Sequence, residues 1–176
     1  LPDYVGFVFA KSSREVSIEQ AKRIREQLLP CIKTIGVFTA FDEQTVEKLV
    51  KQKVIQGVQL HTEITNAEVN NLKNKGMLIF QIVNSLTKSL EKVDYLMFDS
   101  RIPGSGQLAD WNQIDAKGHP FMIAGGLNAN NVGEAISRLH PEIVDVSSGV
   151  EINGQKDNNK IAEFIRSVRD ADKENE

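Results

Sequence analysis

A single cysteine, Cys31, stands among 176 residues, so no disulfide closes within the chain, which fits a reducing, cytoplasmic setting. No apolar run approaches the ~20 residues that span a bilayer, and no charged-then-apolar leader precedes Leu1; neither a membrane partner nor secretion is expected. Basic charge is not in excess: 21 Lys and Arg face 24 Asp and Glu, for a net charge of −3 and a pI near 5.7. That leaves no electrostatic footprint for nucleic acid. The three histidines, His61, His119 and His140, are not arranged on strand ends as a metal-ligand set. An initiating Met is also lacking, and a strand-like segment starts almost at once, so a missing beginning is expected. What remains, 40% hydrophobic and 26% charged residues, is the composition of one globular domain with a sizeable core.

The most informative stretch is residues 121–150, FMIAGGLNANNVGEAISRLHPEIVDVSSGV. Phe121-Met122-Ile123-Ala124 and Ile143-Val144-Asp145-Val146 are short apolar segments of the kind that form buried parallel strands. Between them Val132, Ala135, Ile136 and Leu139 recur at i, i+3, i+4 and i+7, the stripe of a helix, with Asn128 or Asn130 as its cap. This spells one βαβ unit. Gly125-Gly126 and Ser147-Ser148-Gly149 then follow the carboxyl ends of neighbouring strands, where bared backbone N–H groups, serine hydroxyls and a helix start suit a phosphate dianion. Alternatively, the glycines only close tight turns.

The same alternation runs from the start. Strands are expected at 4–9, 34–38, 57–60, 77–82 and 95–98. Ser17 and Gln20 form a capping-box pattern ahead of a helix that would bury Ala21, Ile24 and Leu28 before Pro30 ends it. Asp42 caps a helix carrying Val46, Leu49 and Val50; further helices are read at 66–75 and 85–92, a short one from Trp111, and a last one capped by Asp157 that turns Ile161, Phe164, Ile165 and Val168 inward. Seven strands, each followed by a helix, require a parallel sheet with right-handed crossovers. An open doubly wound sheet and a closed barrel both satisfy this. Even spacing, and polar or glycine turns after strands along the whole chain, favour the (β/α)8 TIM barrel, with seven of its eight units visible and the first absent.

Five stretches together resemble phosphoribosylanthranilate isomerase, the barrel enzyme of tryptophan biosynthesis: YVGFVFAKSSREVS from Tyr4, GVQLH from Gly57, FDSRIPGSGQLADW from Phe98, IAGGLNANNV from Ile123 and VDVSSGVE from Val144. They occur in family order. The resemblance implies an Amadori rearrangement of N-(5-phosphoribosyl)anthranilate to the 1-deoxyribulose product, with no metal or cofactor, by a monomer or homodimer. It puts the general acid at Asp99, directly after the apolar run 95–98, where partial desolvation would favour the protonated carboxyl. It sets Arg14 against the anthranilate carboxylate, since a guanidinium grips a planar carboxylate with two parallel hydrogen bonds; Lys11 is the nearby rival. Gly104, Ser105, Gly106, Gly125, Gly126, Ser147, Ser148 and Gly149 would hold the phosphate. Asp145 would meet the sugar or the opened intermediate, or else be a buried structural carboxylate, and Gln59 and His61 would line the floor.

One family feature is not found. The general-base cysteine of a Lys-Ile-Cys-Gly motif has no counterpart among the 176 residues, and Cys31, between Pro30 and a strand, reads as a small buried apolar residue. The alternative is therefore a non-catalytic phosphate-ligand-binding barrel, or an inactive fragment. A metal-dependent pentose-phosphate epimerase and an indole-glycerol-phosphate synthase fit less well, for want of histidine ligands and of strand-end lysines respectively.

Overall fold

The computed structural model describes residues 1–83, 92–99 and 111–174. They fall into two compact units, Pro2–Tyr95 and Leu96–Glu176. The expected helix at 85–92 and the loop 100–110, with Gly104, Ser105 and Gly106, lie outside the described residues apart from Lys92.

The first unit runs β1 (Tyr4–Val8), α1 (Ile18–Gln27), β2 (Lys33–Phe38), α2 (Glu43–Lys51), β3 (Gly57–Leu60), α3 (Asn66–Asn74) and β4 (Leu78–Ile82). Each strand pairs with the next in parallel, the register passing from Phe7 to Gly36, on to Val58 and then to Ile79. Parallel strands covered on both faces leave no room for a polar alternation, and all four residues of β3 are buried. The helices contribute Ala21, Val46, Leu49, Val69 and Leu72, none more than 1% exposed. Local chemistry starts each helix. Ser17 and Gln20 close the expected capping box, Asp42 accepts from the backbone of Gln44 and Thr45, and Thr65 with Glu68 forms a second box ahead of α3.

Two expectations in this unit are corrected. Ile24 is 41% exposed: it stands about 60° round the helix from Ala21, and α1 ends so early that Leu28, its cap, is already extended. The stripe thus closes on Ala21 alone. Cys31 is exposed, not buried, because it belongs to the turn that links α1 to β2.

The second unit carries the last residues of β5 (Tyr95–Phe98), then β6 (Phe121–Ile123), α4 (Val132–Leu139), β7 (Ile143–Val144), the antiparallel hairpin β8 (Glu151–Ile152) and β9 (Gln155–Lys156), and α5 (Asn158–Glu174). Trp111–Gln113 is a single 3-10 turn. β5, β6 and β7 are parallel neighbours, so the expected βαβ unit is present. Ile123, Val132, Ala135, Ile136, Phe164 and Ala171 form its core, with Phe121, Val144, Val146, Ile161 and Val168 packed against it. Asp157 caps α5, its carboxylate accepting from Lys160 N at 2.9 Å. The cap of α4 differs from expectation: the first residue before the helix is Asn131, which makes no side-chain cap bond. Its Oδ1 instead accepts from Asn128 N at 2.8 Å, so the side chains of Asn128 and Asn131 are spent on ordering the loop. No helix among the described residues is long and apolar enough to cross a membrane.

Candidate active site

Backbone register assembles the centre of the second unit. Phe98 is level with Ile123, and Ile123 with Val144; the ladder continues one step, Ala124 N donating to Phe98 O at 2.8 Å and Asp145 N to Ile123 O at 2.9 Å. The next row is therefore Asp99, Ala124, Asp145. Partners in a parallel ladder share a face and successive side chains alternate. Because Ile123 and Val144 point into the helix-covered core, Asp99 and Asp145 point to the other side. They stand two strands apart, about 10 Å, and both are half-buried.

Beside this row lie the two glycine turns. Gly125 and Gly126 follow β6 with φ of 86° and 68°, angles that a side chain disfavours. Gly126 O accepts from Asn131 Nδ2 at 3.1 Å, and Asn128 Oδ1 accepts from Asn130 N at 2.9 Å, which pins the turn from its outer side. Gly149 packs directly on this loop: a Cβ there would lie 1.9 Å from Leu127 O. The bare backbone at residue 149 is what lets the turn after β7 lie against the turn after β6. Ser147, Ser148 and Gly149 are half-buried. Thus Asp99, Gly125, Gly126, Asp145, Ser147, Ser148 and Gly149 all stand just past the carboxyl ends of β5, β6 and β7.

The first unit holds Arg14, Gln59 and His61, again at carboxyl ends. The loop after β1 folds back, with Val16 N on Val8 O at 2.9 Å and Glu15 bridged to Val8, and this carries half-buried Arg14. Lys11, its rival, is exposed. Gln59 is 9% exposed, and its Nε2 lies 2.9 Å from His61 Nε2. His61 N is fixed by Phe38 O at 2.9 Å. Cys31, by contrast, precedes β2, the length of a six-residue strand or about 20 Å from the carboxyl end.

One neighbour of the second turn was not read from the sequence. Lys156 Nζ donates to Ser147 O at 2.8 Å and lies 3.3 Å from Ser147 Oγ. The available signal was Asn153-Gly154, the dipeptide of a two-residue hairpin whose central residues both need positive φ; theirs are 51° and 76°.

Parallel strands joined through helices, with polar turns gathered at their carboxyl ends, define an α/β protein of the (β/α)8 barrel class. Residues 2–167 match the family model of N-(5'-phosphoribosyl)anthranilate isomerase, and the chain belongs to that family. It is 40% identical to the N-(5'-phosphoribosyl)anthranilate isomerase of Streptococcus mutans over 169 residues, 95% of this chain and 88% of that one. It superposes with a TM-score of 0.80 and 29% identity on the phosphoribosylanthranilate isomerase of Thermotoga maritima, covering 96% of this chain and 88% of that one. A phosphoribosylanthranilate isomerase solved with reduced 1-(o-carboxyphenylamino)-1-deoxyribulose 5-phosphate matches with a TM-score of 0.76 and 29% identity, covering 96% of this chain and 88% of that one.

Proposed function

We propose that this chain catalyses the isomerase step of tryptophan biosynthesis, converting N-(5-phosphoribosyl)anthranilate to 1-(2-carboxyphenylamino)-1-deoxyribulose 5-phosphate by an Amadori rearrangement. The observation that carries the residue roles is the row Asp99, Ala124, Asp145 beside the turn that Gly149 brings against Leu127. Asp99 is the general acid: it gives its proton to the ribose ring oxygen, so the ring C–O bond breaks toward a neutral hydroxyl instead of an alkoxide. The nitrogen lone pair fills the bond at C1 as the ring opens. Loss of the C2 proton and its return at C1 then complete the aldose-to-ketose shift. Asp145, on the same face, contacts the sugar or the opened chain. Gly125, Gly126, Ser147, Ser148 and Gly149, with Gly104, Ser105 and Gly106, hold the phosphate, and Arg14 takes the anthranilate carboxylate. Gln59 and His61 line the floor.

The role of base at C2 does not go to Cys31, which is exposed and at the amino end of its strand. The reaction so written calls on no metal or cofactor, and the group that takes the C2 proton is not among the residues named above. The solution form is a monomer or homodimer, as supported by a dimeric Thermotoga maritima relative also solved as monomers, and the compartment is the cytoplasm of a biosynthetic enzyme.

Turnover followed by loss of substrate fluorescence tests this reading against a ligand-only barrel. Asp99→Asn should keep affinity for the reduced product analogue and lower turnover by about 10² to 10⁴. An Asp99→Asn protein as active as the parent removes the acid assignment, and analogue binding without turnover in the parent chain favours the non-catalytic alternative.

A further inference from the structure

We propose that Lys156 is the positioning residue of the phosphate turn, fixing which way the donors of Ser147 and Ser148 point; this rests on the phosphate reading of that turn. The Asn153-Gly154 hairpin sets Lys156 opposite Glu151 in register. From there its ammonium reaches three acceptors, Ser147 O at 2.8 Å, Ser147 Oγ at 3.3 Å and Glu151 Oε1 at 2.9 Å. An ammonium has three protons and no lone pair, so all three are engaged.

Two directions follow. A peptide unit is planar and trans, so with Ser147 C=O turned toward Lys156 the N–H of Ser148 points the opposite way. A hydroxyl has one proton and two lone pairs; with one lone pair of Ser147 Oγ given to Lys156, its proton is left to donate elsewhere. Both donors thus face away from Lys156, ready for phosphate oxygens. The Glu151 carboxylate, only 8% exposed, keeps the ammonium in place and neutralises it, so Lys156 acts by orientation and not as a net positive charge. Val150 N, also on Ser147 O but at 3.4 Å, is too long a bond to substitute for it. Lys160 Nζ, on Glu151 O at 3.1 Å, steadies the hairpin from its other side.

The test titrates parent, Lys156→Met and Lys156→Arg proteins with inorganic phosphate at constant ionic strength, read by thermal shift. The titration is repeated with the reduced product analogue and its dephosphorylated form. Lys156→Met should weaken binding of phosphate and of the phosphorylated analogue by about tenfold or more and leave the dephosphorylated form unchanged; Lys156→Arg should restore most of it. If Lys156→Met does not fold, the pair Glu151→Gln with Lys156→Gln, which buries no lone charge, takes its place. A lower melting temperature with unchanged phosphate affinity, or equal losses for both forms of the analogue, overturns the proposal and leaves the phosphate turn standing. Failure of the parent to bind phosphate at all removes both.

Discussion

Gly149→Ala is the sharpest probe of how the two turns are joined. The added Cβ would lie 1.9 Å from Leu127 O, 1.1 Å inside the 3.0 Å that such contacts essentially never breach, with Leu127 C and Val146 Cγ2 at 3.0 Å on either side. The nearest atom is backbone, so no rotamer change relieves it. One turn must retreat by about 1 Å, at a cost of about 2 kcal/mol, which for a chain of this size lowers the melting temperature by about 4–8 °C. On the proposed phosphate site the same retreat displaces the donors of Ser147 and Ser148, and ligand affinity should fall about tenfold or more. Gly133→Ala is the matched control, chemically the same change with the opposite sign. Its Cβ would meet only Ala171 Cβ, at 3.9 Å, inside α4, where replacing glycine gains about 0.5–1 kcal/mol. Denaturant melts and phosphate titrations of the two variants decide the matter. If Gly149→Ala melts and binds as the parent does, the turns are not held by that contact and the built phosphate cradle is wrong.

Thr65→Ala should destabilise the first unit by about 1 kcal/mol, because it removes the box in which Thr65 Oγ accepts from Glu68 N and the Glu68 carboxylate accepts from Thr65 N. The Thr65 N–H foremost, and then the Thr65 hydroxyl, donate to the Glu68 carboxylate and hold it below its ordinary 4.5. Its stabilisation is present above that value and lost as pH falls through the lowered one, so Glu68→Gln should flatten the acid limb of a melting-temperature profile. Tyr4 behaves in the opposite sense. Burial, with Tyr95 beside it, raises its phenol above 10.0, so its stabilisation is complete below 10.0 and fades as pH climbs through the raised value. Tyr4→Phe should give a shallower alkaline limb; an unchanged profile would mean that Tyr4 ionises as freely folded as unfolded.

The strands and helix starts were legible because both are written in local chemistry. Gly57 to Leu60 is apolar apart from Gln59, and the Ser17, Asp42 and Asp157 caps each accept the backbone bonds their positions allow; the Thr65 cap of α3 was open to the same reading. What the sequence hid was decided by tertiary contact. Ile24 satisfies the helical period yet stays exposed, since periodicity says which residues share a face and not how wide a face is covered. Cys31 was misjudged by its type, which favours burial, when two residues of turn decided otherwise. Asn128 or Asn130 is the expected cap, but Asn131 occupies the position before α4 without a side-chain cap bond, because Asn128 and Asn131 bond within the loop instead. Lys156 was missed because a lysine in a polar hairpin looks like any solvated charge until its partner across the turn is known.

The candidate site depends on parity more than on any single residue. Asp99 and Asp145 face the same way because each lies one register row past a half-buried apolar residue of the other face, Phe98 against Phe121 of the neighbouring strand with ring centroids 5.8 Å apart and Val144 against the core of α4 and α5. Slipping either strand by one residue would turn its carboxylate into the helix layer and an apolar side chain out. Burial of Ile123, Val132 and Phe164 on the helix side therefore fixes the orientation of two acids on the opposite face. The same logic divides the strand ends. At amino ends, side chains close the ladder: Asp94 Oδ2 accepts from Ile79 N at 2.7 Å, Glu142 Oε2 from Phe121 N at 2.8 Å, and Gln56 Oε1 from Thr34 N at 2.8 Å. At the carboxyl ends of β6 and β7 the chain instead turns through Gly125-Gly126 and Ser147-Ser148-Gly149. Side chains spent on the protein's own backbone at one end, and glycine and serine turns at the other, are why we propose the carboxyl face for the acid and the phosphate.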